Sequence, residues 1–368
     1  MGKQEKTKIK KPASSIRVLD EDGDLLLRVG SAEGTNGEQQ DFKVCAAALR
    51  RSSPVFKAML FGPWAEAKPA DDDGVSEWIV ALPEDEPESL EILLHLLHGK
   101  FDLPNVLHKI DMTAELLYGI FVVADKYDLT RLIGPWAIKW SESVKLVRAI
   151  DTVYMTHVFW EMGDEGRFSS SINLLSNSCR VNETGQLFYG TYTCTLDPRT
   201  LNAKLTYQLE DEEVISDWTN LGPPDLLEVI ANMRLTGIQL PIAVFDVEII
   251  QRTVQSNICN CLDGTLCNLM VLGGLLGGLL ASRGPSQLPQ KASQVFDSTG
   301  GLFEQLQIIV NSLPEFPAGN HCESCLPGPR LNQFRDKLFL AGVGRFYPFH
   351  LISEWKTTMA EKRERLGL

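Results

Sequence analysis

Short apolar runs in the first third of the chain have the length and spacing of β-strands. They lie at residues 16–19, 25–29, 41–44 and 78–82. The first two runs flank the acidic stretch 20–24, and an Asp-Gly step between apolar runs is a hairpin signal. The pattern therefore predicts a hairpin made by the first two strands, followed by two further strands.

Between and after these strands, apolar residues recur with the spacing of helices. Residues 46–50 are strong helix formers, and Ser53-Pro54 offers an N-cap with proline at the first helical position. After Pro87, leucines recur at i, i+3, i+4 and i+7, and Gly99 stands where a helix C-cap belongs. Two more helices are predicted near 117–124 and 132–140. This order predicts an α+β domain over residues 14–141, after a disordered basic tail at 1–13.

Residues 142–368 show a predominantly helical pattern, which predicts a mainly helical C-terminal region. One apolar stripe of helical spacing begins at Leu146. Two segments depart from this pattern. The Thr, Tyr and Phe rich stretch 187–208 favours a hairpin, and the Gly, Pro and Ser rich stretch 282–300 favours a loop or linker. The final residues, EWKTTMAEKRERLGL, predict a charged helix end with a solvated face.

Charge and composition narrow the class of protein. The chain has 368 residues, and 35 Lys+Arg against 48 Asp+Glu gives 35 − 48 = −13. This acidic balance argues against a general nucleic-acid binder, which needs a basic face to displace counterions from phosphate. No stretch approaches the roughly 20 apolar residues that cross a bilayer, and no apolar signal segment follows the basic N-terminus. We therefore expect an intracellular protein of the cytoplasm or nucleus, with neither membrane nor nucleic acid as its partner.

Cysteine and histidine residues in the second half form the one constellation with the chemistry of a metal site. The candidate ligands are Cys259, Cys261, Cys267, His321, Cys322 and Cys325. The last two cysteines are separated by two residues, a spacing that supplies paired thiolates to tetrahedral zinc from a single turn. The alternative is a set of reduced thiols without metal, as is usual inside cells. Zinc here would be structural, and no other cofactor and no catalytic residue is predicted.

Several segments of the first third also carry a family resemblance in their order and spacing. They are GDLLLRVG, DFKVCAAAL, SSPVFKAML, VALPEDEPESLEILLHLLHGKFDLP and ADKYDLTRLIGPWAIKW. Together they look like a BTB/POZ domain, and they most resemble the BTB proteins of filamentous fungi. The resemblance covers residues 14–140 approximately. It implies a BTB/POZ-like binding module that self-associates or recruits another protein.

The same resemblance points to candidate partner-binding residues. In BTB adaptors of cullin-type ubiquitin ligases, a hydrophobic–x–Glu element lies just after the Ser-Pro helix. The matching positions here are Trp64-Ala65-Glu66, which makes Trp64 and Glu66 the candidates. The alternative interpretation is that Trp64 covers the edge of the core while Glu66 is solvated.

These observations predict a non-enzymatic adaptor or scaffold that acts by self-association or by recruiting a protein partner. A narrower alternative is a substrate receptor of a cullin-type ubiquitin ligase, whose partner would be the cullin-type scaffold. An alternative of another class is a zinc-containing nuclear regulatory factor.

Overall fold

The computed structural model describes residues 16–31, 39–68, 77–101, 112–195, 206–245 without 217 and 219, 301–302, 306 and 351–368. These residues divide into two compact units. The first unit draws on Met1–Lys145, Glu161–Gly163 and Thr358–Leu368, and the second on Leu146–Trp160 and Asp164–Thr357. Each unit combines helices with a small sheet, so the fold is mixed α and β.

A four-stranded sheet lies in the first unit. Its strands are β1 (Arg17–Val18), β2 (Leu25–Val29), β3 (Gln40–Val44) and β4 (Ile79–Leu82), in the order β1-β3-β2-β4. β2 and β3 pair antiparallel, with Leu27 opposite Phe42, whereas β4 runs parallel to β2 and β1 runs parallel to β3. Alternate residues of β2 are buried, because successive side chains point to opposite faces of a sheet. The apolar alternation thus gives the sheet one face toward the core.

The predicted hairpin between the first two apolar runs is wrong, although a turn does form there. The Gly23 N–H donates to the Asp20 carbonyl at 3.1 Å, and the Asp20 carboxylate accepts from the Asp22 N–H at 3.0 Å. The turn carries the chain across β3, so β1 and β2 lie on opposite sides of that strand. An Asp-Gly step predicts where the chain turns, but it does not determine which strands pair. Strand pairing depends on which apolar side chains are buried in the core.

Five helices of the first unit follow the predicted positions closely. They are α1 (Ala46–Ser52), α2 (Pro54–Phe61), α3 (Pro87–Leu97), α4 (Ala114–Lys126) and α5 (Thr130–Ser143). Local caps explain where three of them begin. The Ser53 side chain accepts from Phe56 N–H before α2, the Glu86 carboxylate caps α3, and the Thr113 hydroxyl caps α4. Gly99, with φ of +68°, follows the end of α3, where the left-handed backbone favours glycine.

The second unit is built from helices and a three-stranded sheet. Its elements are α6 (Ala149–Glu161), α7 (Glu165–Ser178), β5 (Arg180–Val181), β6 (Leu187–Thr195), β7 (Thr206–Val214) and α8 (Leu226–Phe245). β6 and β7 pair antiparallel in the segment from which a hairpin was predicted, and they continue to Val214. Leu146 was expected on the stripe of α6, but it precedes the helix and is exposed. That expectation is wrong, because the helix begins three residues later.

The last helix, α9 (Ser353–Leu366), contributes to the first unit from Thr358 onward. Its Met359 and Leu366 are buried, and the Lys362 ammonium lies 2.7 Å from both carboxylate oxygens of Glu161. The Arg365 guanidinium bonds Asp125 at 2.5 Å. The expected charged helix with a solvated face is found, and the other face of the helix is buried. In the sequence, Lys362 makes the helix face that carries Met359 and Leu366 look polar. In the structure, Lys362 lies on this face and pairs with Glu161.

Candidate docking surface on the second helix

The orientation of α2 follows from its two buried residues. Phe56 and Leu60, one helical turn apart, are fully buried, and the Phe56 ring stacks on Tyr127 with centroids 4.3 Å apart. The rest of the helix surface faces solvent, and its exposed residues include Val55, Lys57 and Phe61. The helix α2 therefore has exposed large apolar side chains in addition to the two that are buried in the core.

A polar cluster holds the start of this helix in place. The Ser53 hydroxyl accepts from Phe56 N–H at 2.9 Å and donates to the Tyr127 carbonyl at 2.5 Å. The Tyr127 hydroxyl in turn donates to the buried Asp85 carboxylate, which also accepts from Lys126 at 2.6 Å. Burial and the bond to Asp85 raise the pKa of Tyr127, so the phenol stays protonated as a donor. The cluster therefore fixes α2 against α4 and the loop before α3.

A compact turn follows α2 and carries the two predicted partner-binding residues. The Lys68 N–H donates to the Leu60 carbonyl at 3.1 Å, which folds residues 62–68 back toward the helix. Within this turn Trp64 is 63% exposed, and Glu66 is exposed as well. A Cβ atom at Gly62 would lie 2.2 Å from the Ala58 carbonyl oxygen, which excludes it, and 3.2 Å from Trp64 Cδ1, so the edge of the indole lies over Gly62. Trp64 is therefore both supported and solvent-facing.

Aromatic rings and cations lie side by side next to this turn. The Arg50 guanidinium lies 4.9 Å from the Phe61 ring centroid, and Phe61 meets Trp78 edge to face at 6.0 Å. The Trp78 indole N–H donates to the Glu66 carbonyl at 3.0 Å, which ties the turn to the start of β4. We call the exposed residues at the end of α1, on α2 and in the turn after α2 the α2 surface. It comprises Arg50, Arg51, Val55, Lys57, Phe61, Trp64 and Glu66.

The structure brings the two predicted residues Trp64 and Glu66 together in one exposed turn. The alternative interpretation, in which Trp64 covers the edge of the core, is wrong because most of the indole is accessible. The solvated position expected for Glu66 in that interpretation is found. Trp64 and Glu66 therefore form an exposed aromatic and carboxylate pair on the turn after the capped helix α2.

Sequence reasoning missed the cations and the second aromatic residue of the α2 surface. Arg50 lies against the Phe61 ring, and Lys57 lies one helical turn before Phe61 on α2. One sequence feature could have identified them. Phe56 and Leu60 are four positions apart and so share one helix face, and if that face is buried, the other residues of α2 point outward. A hydrophobic residue at position 61 nevertheless looks like core when only the sequence is considered.

The candidate zinc ligands Cys259, Cys261, Cys267, His321, Cys322 and Cys325 lie outside the described residues. Among the residues that are described, no group of three or more His, Cys, Asp or Glu side chains is placed to hold a metal ion.

One described thiol, Cys179, is fully buried in the second unit. Burial raises the pKa of Cys179 to about 12, so its thiol stays protonated at neutral pH. Its carbonyl accepts from the buried Arg234 side chain at 2.9 Å. Because the reactive form of cysteine is the thiolate, this position serves packing rather than nucleophilic chemistry.

Comparison with known proteins adds no relative. No family model, no curated protein and no solved structure matches the chain. Within the described residues, no helix combines the length and apolar character needed to cross a membrane.

Proposed function

We propose that the chain is a non-enzymatic adaptor or scaffold whose first unit is a BTB/POZ-type protein-interaction module. The order of its elements supports the proposal: three strands, two helices, a fourth strand and three helices occur where the resembling segments lie. The segment SSPVFKAML forms the capped helix α2, and the Asp125-Lys126-Tyr127 segment ends α4 and anchors the Tyr127 ring on Phe56.

The observation that carries the proposal is the exposure of Trp64 on a turn that is hydrogen-bonded to α2. Trp64 is 63% exposed, and the exposed Phe61 lies near it in the chain at the end of α2, so large aromatic area is accessible to a partner. Tryptophan is also among the residues most enriched at energetic centres of protein interfaces. The α2 surface is therefore the docking site in this proposal.

The test is quantitative affinity capture with the full chain as bait, from extracts of cells that express it. Wild type is compared with Trp64→Ala and with the control Ile138→Ala, which changes another exposed apolar residue of the first unit. We expect a set of proteins that is lost with Trp64→Ala and kept with Ile138→Ala. Equal recovery with all three baits would refute docking through the α2 surface.

A second candidate is a substrate receptor for a cullin-type ubiquitin ligase, favoured by the joint exposure of Trp64 and Glu66 in one turn. The same capture experiment with Glu66→Lys tests it. Cullin recovery should fall sharply with this variant, since a carboxylate of the docking element becomes a cation. Equal cullin recovery, or no cullin with wild type, would remove the ligase role while leaving the interaction role in place.

A further inference from the structure

The α2 surface is a basic island on an acidic chain. Its residues include the cations Arg50, Arg51 and Lys57 and a single acid, Glu66, so the α2 surface carries 3 − 1 = +2, and the cation Lys68 follows it in the chain. The whole chain carries −13. An excess of one charge sign beside exposed apolar side chains favours a ligand of the opposite sign.

Three of these cations are available to a ligand. Arg51 and Lys57 are exposed and form no ion pair within the described part of the chain. Arg50 is exposed as well and contacts the Phe61 ring, and a guanidinium stacked on a ring can still donate to carboxylates in its own plane. Lys68 differs from these, because its ammonium lies 3.6 Å from Asp24.

From this arrangement we infer that the α2 surface binds an acidic segment of a partner protein that carries at least one large apolar side chain. This inference rests on the proposed function. The apolar side chain would pack against Trp64 and Phe61, which supply most of the affinity. Carboxylates on either side would pair with Arg50, Arg51 and Lys57 and set the orientation and the rate of association.

The arrangement fits an acidic polypeptide better than a nucleic acid. Three cations neutralise few phosphates, and nucleic-acid binders gain affinity in proportion to the phosphates they neutralise. The net charge of −13 would repel a long polyanion, whereas a short acidic segment meets mainly the local positive potential. The screened range of that potential is about 8–10 Å at physiological salt.

The experiment is selection of peptides from a displayed random library on the full-length chain, with synthetic copies measured by fluorescence anisotropy. We expect enrichment of Asp and Glu around Leu, Phe or Trp. Trp64→Ala should weaken binding at least about 30-fold. The triple variant Arg50→Glu/Arg51→Glu/Lys57→Glu should weaken it at least about 10-fold at low salt. The control Lys145→Glu reverses an exposed cation elsewhere in the first unit and should leave affinity unchanged.

Two further measurements keep the inference testable if the triple variant fails to fold. Peptides with Asp and Glu replaced by Asn and Gln should lose affinity for the wild type by the same factor. Binding of the acidic peptides should also weaken as salt rises from about 0.05 to about 0.5 M.

The outcomes separate this inference from the proposed function. Neutral or basic peptides that depend on Trp64 would overturn the inference and leave docking at the α2 surface intact. A polyanion such as poly(dT) that binds more tightly than any selected peptide would also overturn it. Failure to enrich any peptide that depends on Trp64 would count against both the inference and the docking surface.

Discussion

Replacing Lys362 by methionine should destabilise the first unit, although this residue lies near the end of the chain. Its ammonium lies 2.7 Å from both oxygens of the Glu161 carboxylate, and the two side chains are only 18% and 6% exposed. Removing one partner of a buried pair costs about 3–5 kcal/mol because the other charge stays buried. Since Lys362 keeps some contact with water, we expect about 3 kcal/mol, the lower end of that range.

The dependence of this loss on pH distinguishes a buried charge from lost packing. Burial raises the pKa of Glu161, and Lys362 opposes that rise. Without the lysine, the pKa of the folded carboxyl rises further above its unfolded value of about 4.3. A folded group that holds its proton more tightly than the unfolded chain loses stability as pH increases. The penalty of Lys362→Met should therefore be larger at about pH 8 than at about pH 5.

The assay is urea unfolding followed by circular dichroism at both pH values, supported by thermal scans. A loss of about 3 kcal/mol corresponds to about 6–12 °C in Tm for a unit of this size class. The control Lys356→Met removes an exposed lysine of the same helix and should change stability by less than about 0.5 kcal/mol. Adding Glu161→Gln to Lys362→Met should restore most of the loss. A penalty independent of pH, or no larger than that of the control, would refute the reasoning.

Two further substitutions test close packing and the polar cluster. Gly134→Ala should destabilise the protein by about 1–3 kcal/mol, because a Cβ at this position would clash with the Leu366 carbonyl. The control Gly166→Ala, at an open position of a helix, should stabilise the protein by about 0.5–1 kcal/mol. Urea unfolding measures both changes, and equal changes in the free energy of unfolding would contradict the close packing at Gly134. Tyr127→Phe removes a hydrogen bond to the buried Asp85 carboxylate and should lower the free energy of unfolding by about 1.5–3 kcal/mol in the same assay. An unchanged free energy of unfolding would contradict this role of the hydrogen bond.

Local structure in the first unit could be predicted because its signals are local. The Ser53-Pro54 cap, the leucine stripe of α3 and Gly99 at its end each depend on residues within one or two turns. The helices they predict are therefore found within a few residues of their expected bounds.

Pairing between distant segments could not be predicted in the same way. The bend at residues 20–24 forms, but β1 pairs with β3, a choice that depends on the assembled core rather than on the bend. The pair of Glu161 and Lys362 joins residues 201 positions apart. A lysine on a charged terminal helix gives no sign of such a partner.

The position of the candidate site could be predicted from the sequence, but the exposure of Trp64 and the presence of cations beside it could not. The family resemblance selected Trp64 and Glu66, yet hydrophobicity alone predicts that a tryptophan is mostly buried. Its exposure follows from the inward direction of Phe56 and from the return of Lys68 to the Leu60 carbonyl. Both depend on tertiary packing, which is also why the neighbouring cations were overlooked.

The central claim is that the α2 surface binds another protein. The most direct measurement replaces Trp64 by a photoreactive phenylalanine analogue and irradiates living cells that express the full chain. The same analogue in place of the exposed Ile138 serves as the control. We predict discrete covalent adducts from position 64 that are missing from position 138. No adduct at position 64, or the same adducts from both positions, would contradict the account.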